Sequence, residues 1–513
     1  MDRTTALSWC LALAASIYLA VRLAPIVDDL HAVGDYDTAE YYAIARNLAR
    51  GDGLTDPVRW HHLGDSPHVV RPAGDYHSAF WPLVLGTFMA VFGHSQRVAL
   101  WIVFALGLLL PPLLFFLARR LDPRSQWVAP TFAAVVVASL GRLHPTLVSP
   151  DITLAYQLST MGGLFAWMTL GDSPRARVLA GFLLASPLYF RGEGFVGVAA
   201  VLPVMLFAKE TWRVRSKRIG AVLAGAAIVW LSIGLYSLVA VGDFTPKPRS
   251  ATLVMTSYAD IFAMTTEPSF DTWWAQGAAQ LWSVRTATLA QHLDAIYTQL
   301  PLGLMVLAGV GTVIALVRRN GRAIAVALFV VLTVVVPIAL VPIVASRDRV
   351  ALNVAPPLVV LAGVALAELD ARIPKRFVAW APAAALGLVC VAWHAPFAWH
   401  PSGKLRSFVQ FSRPAIYDTL ARHVPAGSVV IAEDPWHAAI HLDVGAAHIP
   451  GDGRAGIVRA IEVYEPDFVL TIVNTPRDRI VAGLKDRVAG RTTVGHIIVN
   501  RLKPQVPGSG RKP

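Results

Sequence analysis

Charge is what this chain has least of. Of its 513 residues only 15% are Asp, Glu, Lys or Arg, and 55% are hydrophobic; a soluble domain carries about 25% charged residues. The mean hydropathy is +0.53. The deficit runs along most of the chain, which excludes an ordinary soluble enzyme. Cysteine is nearly absent too. Cys10 and Cys390 both sit in apolar runs, which excludes a disulfide framework and a cysteine metal site. No internal repeat is visible. The first apolar run, Ala6 to about Val27, is too long for a signal-peptide core and lacks a small-residue cleavage site, so it reads as a retained helix.

What is present in abundance is apolar runs of spanning length, roughly 20 residues for a typical bilayer core. We place about eleven spans by hydropathy: 6–27, 97–118, 127–141, 152–171, 178–190, 195–208, 218–241, 300–317, 323–344, 351–368 and 377–395. The segment 79–94 is apolar but short, and reads as interfacial or re-entrant. The formal net charge of +12 would raise nucleic acid as a partner of a soluble protein. Here the positive charge collects in five loop clusters instead: Arg119/Arg120/Arg124, Arg175/Arg177, Lys209 to Arg218, Arg318/Arg319/Arg322 and Arg372/Lys375/Arg376. All lie on one side of the spans, and the positive-inside rule makes that side cytoplasmic. The expectation is a multi-pass protein of the cell membrane with a cytoplasmic N-terminus and no nucleic-acid partner. Segments 28–96, 242–299 and the tail after 396 fall outside the cytoplasm.

The tail changes character. SVVIA (428–432), FVLTIV (468–473) and TVGHIIVN (493–500) read as strands, with helices over DPWHAAIHL, GRAGIVRAIEVY and PRDRIVAGLKDRVAG between them. This alternation predicts a small α/β extracytoplasmic domain over 397–504 after a membrane region of 1–396. VPGSGRKP ends the chain, and 505–513 reads as a disordered tail.

The first outer segment carries GDYDTAEYYAIARNLARGDGLT (34–55). Tyr41, Ile44, Ala45 and Leu48 fall at i, i+3, i+4 and i+7, which predicts a short amphipathic helix lying on the outer membrane surface, stopped by Gly51 and Gly53. Asp37-Thr38-Ala39-Glu40 has the spacing of a capping box. The acids therefore read either as helix caps or as reactive groups, and the two roles are compatible.

This stretch resembles the first outer loop of the GT-C membrane glycosyltransferases, the multi-span enzymes that take sugars from polyprenyl-phosphate carriers, protein O-mannosyltransferases and aminoarabinose transferases among them. The resemblance continues through HSAFWPLVLGTFMAVFGHSQRVALW, SPDITLAY (149–156), LASPLYFRGEGFVGVAAVLP (184–203) and SRDRVALNVAPPLVVLAG (346–363). It covers most of the chain through degenerate motifs in a consistent order. It implies a polytopic α-helical fold with an outer α/β tail, and a lipid-linked sugar as co-substrate. It also implies transfer to a lipid, cell-wall glycan or protein acceptor, with inversion as the stereochemistry of a single displacement.

The chemistry calls for a carboxylate to take the proton of the acceptor hydroxyl and for cations to meet the charge developing on the departing phosphate. Asp37 aligns with the first-loop acid of the family and is named as the general base, with Asp35 next. Asp151 opens a span as an N-cap, and the resemblance makes it a second acid near the acceptor; His144 and Pro145 in the same loop are weaker suggestions. Arg191 and Glu193 interrupt an apolar stretch, where charges are expensive and usually paired or functional. Arg349, and beside it Arg347, stand where an arginine of the family faces the carrier phosphate. Lys247 and Arg249 are further cations on the second outer loop, though a solvated basic loop is the better account of them. His61, His62, His68 and His77 with Asp65 and Asp75 are dense enough to suggest a metal but fit no standard zinc spacing. Asp35-Tyr36-Asp37 adds only a lone D-x-D, and some members of the family use a divalent cation and others do not, so the metal stays open. Trp273, Trp274 and Trp282 read as headgroup-level anchors. A transporter or lipid flippase is the competing reading; such proteins place ionisable groups near the midplane beside broken helices, and only the Arg191 region hints at that.

Overall fold

The computed structural model describes residues 3–30, 32–34, 36–63, 67–123, 127–141, 143–340, 347–372 and 415–504. The expected span over 377–395, the expected disordered tail, Asp35 and Asp65 lie outside these residues. In chain order the helices of the membrane region are α1 (Arg3–Asp29), α2 (Asp37–Arg50), α3 (Phe80–Phe92), α4 (Gln96–Gly107), α5 (Leu110–Leu121), α6 (Val128–Ser139), α7 (His144–Val148), α8 (Ile152–Thr169), α9 (Pro174–Ala185), α10 (Val196–Leu206), α11 (Trp212–Val241), α12 (Lys247–Ala251), α13 (Phe270–Trp274), α14 (Ala278–Gln299), α15 (Leu302–Val317), α16 (Gly321–Leu340) and α17 (Arg347–Arg372).

Among the described residues, five helices are long and apolar enough to cross a membrane, and six if the pair α14–α15, bent by 112°, counts as one span. The structure does not establish the expected count of eleven. Among the described residues helices do form where spans were expected, but α6, α9 and α10 have only 12, 12 and 11 residues, about 18 Å at 1.5 Å per residue, against a hydrocarbon core of about 30 Å. Pro187, Gly192 and Gly194 explain one of these breaks, since α9 gives way to two 3-10 turns, Ser186–Tyr189 and Gly192–Phe195, before α10 begins.

α17 is the hub of the bundle, packed by α5, α6, α8, α14, α15 and α16. Its sequence contains Pro356 and Pro357. A proline within a helix leaves the carbonyl four residues earlier without its N–H donor, and in a bilayer that carbonyl must find another. Gln157 of α8 supplies it: its side-chain amide donates to the Leu352 carbonyl at 2.9 Å. This bond ties α8 to α17 one turn below the start of both helices.

Outside the bundle, the tail forms α18 (Ile416–Leu420), β4 (Val429–Ala432), α19 (Pro435–Leu442), β5 (Gly445–His448), α20 (Gly453–Tyr464), β6 (Phe468–Ile472), α21 (Pro476–Ala482), β7 (Val488–Val494) and β8 (Ile497–Leu502). The α/β character expected of the tail is present. Two details differ. The strand expected over 493–500 is a hairpin, because Gly495 at φ 58° turns the chain between β7 and β8. The helix expected through PRDRIVAGLKDRVAG stops at Ala482, with Gly483 as its C-cap.

The sheet also contains a strand that the tail does not supply. Its order is β2-β5-β4-β6-β8-β7, and β2 (Val58–Arg59) comes from the first outer loop. It pairs in parallel with β5, Val58 opposite Ala446 and Arg59 opposite Ala447. A separate two-stranded ribbon of β1 (Thr55–Asp56) and β3 (Arg71–Pro72) flanks it. The second outer loop joins the same assembly through His62 N–H to the Ile261 carbonyl, 2.8 Å, and Gly451 N–H to the Phe262 carbonyl, 2.8 Å.

This burial overturns the expectation of a surface helix at 38–50. α2 is buried from Thr38 to Asn47, held between α3 and α19. Gly86 on α3 allows the close approach: a Cβ there would stand 2.8 Å from the Ala45 carbonyl oxygen. Arg46, a polar-face residue of an amphipathic helix, is instead 4% exposed. It donates to the Ile440 carbonyl at 2.8 Å, the Ala439 carbonyl at 3.2 Å and Asp443 at 3.0 Å, satisfying the carbonyl end of α19.

Two stability predictions follow from these contacts. Gly86→Ala is expected to cost about 1–3 kcal/mol by overpacking, whereas Gly162→Ala on α8, where a Cβ meets nothing within 4 Å, is expected to cost nothing; thermal melts in detergent compare the two. Gln157→Leu leaves the Leu352 carbonyl unpaired and is expected to lower stability by about 1–3 kcal/mol. An unchanged melt for that variant would show that the carbonyl finds another donor.

Candidate active site

The N-terminus of α2 shows how the acids of the first loop are used. The helix begins at Asp37, and its N-cap is Tyr36, at φ 53° and ψ −123°, with no side-chain capping bond. The capping-box reading therefore fails: neither Asp37 nor Glu40 closes the helix end. Both are turned to other partners. A non-glycine residue at positive φ is strained, and Tyr36 is held there with its ring edge-on to Trp436 of α19, centroids 5.0 Å apart.

Arg349 stands at the start of α17, and its guanidinium lies between two carboxylates. One Nη2 donates to Asp37 Oδ2 and to Asp151 Oδ2, the latter at 3.2 Å. Asp151 is also the N-cap of α8, its Oδ1 accepting from Thr153 N–H at 2.7 Å. Asp151 thus caps α8 with one oxygen and meets the Arg349 guanidinium with the other. Three elements distant in sequence thus meet at one cation. The side chains are 28% exposed for Arg349, 20% for Asp37 and 17% for Asp151, so the cluster is recessed but reachable.

Asp37 feels four influences. Burial alone would raise its carboxyl, but the Arg349 guanidinium, with His77 and Arg191 behind it, holds it down to about 2. It is ionised at any physiological pH. On its other side, His77 Nε2 lies 3.7 Å from Asp37 Oδ1 and 3.9 Å from Glu40 Oε2. His77 Nδ1 is 3.2 Å from the Tyr41 hydroxyl, and its ring packs against Trp60 and Tyr76. Burial, opposed by the Asp37 charge, brings His77 down to about 4, so it is neutral at pH 7.

Behind these residues lies a second, fully buried polar cluster. Arg71 binds Asp56 at 2.9 Å and Asp75 at 2.7 Å, and donates to the Val58 carbonyl at 2.9 Å. His61 is 3.9 Å from Asp75. Arg59 reaches the Tyr464 hydroxyl at 3.1 Å and His62 Nδ1 the same hydroxyl at 2.9 Å. These bonds hold the first loop against the outer sheet.

The remaining residues singled out in the sequence are distributed as follows. Arg191 pairs with Glu193 and sits close enough for its charge to act on Asp37. Arg347 begins the backbone of α17 two residues before Arg349. Arg249 grips the first loop from behind, donating to the carbonyls of Gly74 at 2.7 Å, Tyr76 at 3.2 Å and His77 at 3.4 Å. Lys247 is exposed at the start of α12. His144 is buried with Nε2 3.2 Å from the Ala138 carbonyl. Trp274 and Trp282 are exposed by 62% and 72% on α13 and α14. The histidine-rich stretch divides: His61 and His62 serve the sheet, His68 is exposed and His77 faces Asp37. Among the described residues, no three His, Cys, Asp or Glu side chains are arranged to hold a metal ion, and no step is routed through one below.

Sequence reasoning named Asp37, Asp151, Arg349 and Arg191 individually, and the structure brings these four together. It overlooked Tyr41 and Trp436, and it saw Glu40 only as a cap and His77 only as a member of a histidine cluster. The i, i+3 spacing of Asp37 and Glu40 was the available signal that both share a helix face.

No protein-family model matches the chain, and no curated protein sequence does. Its fold, however, matches solved structures over nearly its whole length. ArnT from Cupriavidus metallidurans, solved with undecaprenyl phosphate, aligns at 14% identity and a TM-score of 0.54, covering 97% of this chain and 98% of that one. The oligosaccharyltransferase AglB from Archaeoglobus fulgidus, in complex with an inhibitory peptide and a dolichol-phosphate, aligns at 13% identity and a TM-score of 0.53, over 91% of this chain and 69% of that one. The arabinofuranosyltransferase AftD from Mycobacteria aligns at 13% identity and a TM-score of 0.51, over 98% of this chain and 40% of that one. The chain therefore has the fold of the GT-C membrane glycosyltransferases.

Proposed function

We propose that the protein is a membrane glycosyltransferase that moves a sugar from a polyprenyl-phosphate donor to an acceptor hydroxyl at the outer face of the membrane, with Asp37 as the general base. The observation that carries this reading is the Asp37–Arg349–Asp151 cluster, a carboxylate and a cation side by side in a recess of a GT-C fold. Structures sharing that fold hold undecaprenyl phosphate or dolichol-phosphate, which supports a lipid-phosphate donor here.

The chemistry balances on these residues. The acceptor oxygen forms a bond to the anomeric carbon as its proton passes to the Asp37 carboxylate. The bond from that carbon to the phosphate oxygen breaks, and the lipid phosphate leaves with one further negative charge. Arg349 is the cation placed to meet that charge, with Arg191 behind it. The displacement is single, so the anomeric configuration inverts.

Arg349 has two kinds of anion to serve, the carboxylates it already binds and the arriving phosphate. Paired with Arg349, Asp37 at about 2 is a weak base. Once the phosphate draws the guanidinium, burial is the main influence left on Asp37, and its basicity rises. Donor arrival thereby prepares the base. The broken α9–α10 segment, which a transporter reading would use as its midplane site, has its charges engaged with each other and with this cluster.

Asp37→Asn keeps the shape of the side chain and removes its basicity. In lipid, with radiolabelled polyprenyl-phosphate sugars and a total-membrane acceptor extract, it is expected to lower transfer at least about 100-fold, while the protein still folds with a cooperative but lower melt because Arg349 keeps only Asp151 as its charged partner. Full activity in this variant would refute Asp37 as the base. Arg349→Gln is expected to weaken donor binding and to shift the acidic limb of the rate profile upward, because burial then acts on Asp37 without an opposing guanidinium. The sign is fixed by the cause: the base must be ionised, so raising its pKa moves the loss of activity to higher pH. An acidic limb unmoved by Arg349→Gln would mean that Arg349 does not govern the base.

A further inference from the structure

Glu40 is the buried acid that the chemistry above leaves unused. It is 1% exposed, it lies one helical turn from Asp37, and both its carboxyl oxygens are occluded without a protein N–H or O–H donor. His77 Nε2 lies 3.9 Å from Oε2, and that atom too is buried and without a hydrogen-bond partner. A carboxylate in such a place would have lost its water and gained nothing in return.

His77 settles which group matters to which. The Tyr41 hydroxyl, 3.2 Å away, can donate to Nδ1; burial, with the Asp37 charge, keeps that phenol protonated. The imidazole proton then resides on Nε2, where Asp37 Oδ1 at 3.7 Å and Glu40 Oε2 at 3.9 Å compete for it. Of two carboxyl groups nearly equidistant from one N–H, the ionised one draws it. The groups facing His77 are Asp37, Glu40 and Tyr41 from α2, Arg71, Asp75 and Tyr76 from the first loop, and Arg349 from α17. Those facing Glu40 are Asp56, Asp37 and Asp75, with Arg71 as its cation.

We propose that Glu40 works as a neutral carboxylic acid, and that by staying neutral it leaves the His77 N–H to Asp37, so that His77 and Glu40 together position the base. The inference rests on the reading of Asp37 given above. Burial, reinforced by the Asp56 charge, pushes Glu40 well above the ordinary carboxyl range, which agrees with the geometry. Ionising Glu40 would set a second anion beside His77 and divide the N–H between two carboxylates. His77 and Glu40 are positioning residues, since they act through Asp37.

The test uses the full-length protein in lipid and has two arms. Infrared difference spectra of wild type against Glu40→Gln at neutral pH are expected to show the carbonyl stretch of a protonated carboxylic acid in wild type only. On raising the pH that band should convert to carboxylate in step with a fall in kcat, a fall that Glu40→Gln abolishes. In the second arm, His77→Ala is expected to lower kcat about 10–100-fold with the donor KM little changed. His77→Gln, which returns an N–H near the Nε2 position, should recover most of that loss. Absence of the protonated-acid band overturns the proposal, and so does an unchanged kcat in His77→Ala or a His77→Gln variant no better than His77→Ala. Failure of the underlying reading looks different: Asp37→Asn would then retain wild-type transfer, or wild type would bind none of the labelled donors, whatever the infrared spectrum of Glu40 shows.

Discussion

A single guanidinium organises the end of the bundle that meets the sheet. Arg349 begins the most enclosed helix of the bundle, and it joins Asp37 of α2 to Asp151 of α8. Removing two carboxylates and an arginine from water is costly, and their mutual attraction offsets that cost only where the geometry is good and the remaining polar atoms are satisfied. The surroundings meet these conditions. Asp151 spends its other oxygen on the end of α8, Gln157 ties α8 to α17 at the carbonyl that Pro356 frees, and Gly86 lets α3 press α2 into place. Each of these contacts fixes the position of one member of the triad. A shift of any of the three helices would leave a charge partly desolvated without its partner.

The second constraint is the shared sheet. The first loop contributes β2 to the edge of the tail's sheet, and Arg46 closes the end of α19. The loop is therefore a structural part of the outer assembly. This explains how a connection of irregular sequence can hold Asp37 and His77 in fixed relation. Catalytic side chains borne on loops need a rigid scaffold beneath them, and here the scaffold comes from the far end of the chain. The buried Asp56–Arg71–Asp75 cluster adds to it by pinning β1 and β3. The strained backbone at Tyr36 is tolerated because Trp436 of the tail packs against its ring.

The division between what could and could not be read from the sequence follows from the range of the interactions. Apolar runs, the alternation of the tail and the spacing of α2 are local properties, and among the described residues most of these elements were legible, with the hairpin at Gly495 and the helix stop at Ala482 as the misses. So were Asp37, Asp151 and Arg349 as separate suspects, through motif order. The pairings were not, because Arg349 and Asp37 are 312 residues apart and no local pattern encodes their meeting. The same reason hid the strand β2: two residues, Val58 and Arg59, carry no periodicity and become a strand only when β5 arrives. Burial also misled the reading of α2. An amphipathic surface helix would leave its polar residues solvated, yet the tail covers Arg46 and the first loop covers Glu40 and Asn47, and each has become a buried group with a specific place. Helix lengths failed for a different cause, since hydropathy counts apolar residues without seeing that Pro187, Gly192 and Gly194 break the helix among them.

On the proposed chemistry, the contact between Arg349 and Asp37 has a consequence for fidelity. A base within reach of the outer aqueous phase risks activating water, which would hydrolyse the donor. While Arg349 holds it, Asp37 has little affinity for a proton, and general-base efficiency falls with basicity. The lipid phosphate is the ligand that can compete for Arg349, so basicity appears when a donor is present. Asp151 makes this exchange gradual. Because Arg349 binds both acids, it can turn toward the phosphate from Asp37 while keeping its hold on Asp151, and the cation is never without an anion. The two carboxylates thus have unequal duties: Asp151 retains the cation, and Asp37 is released to do chemistry.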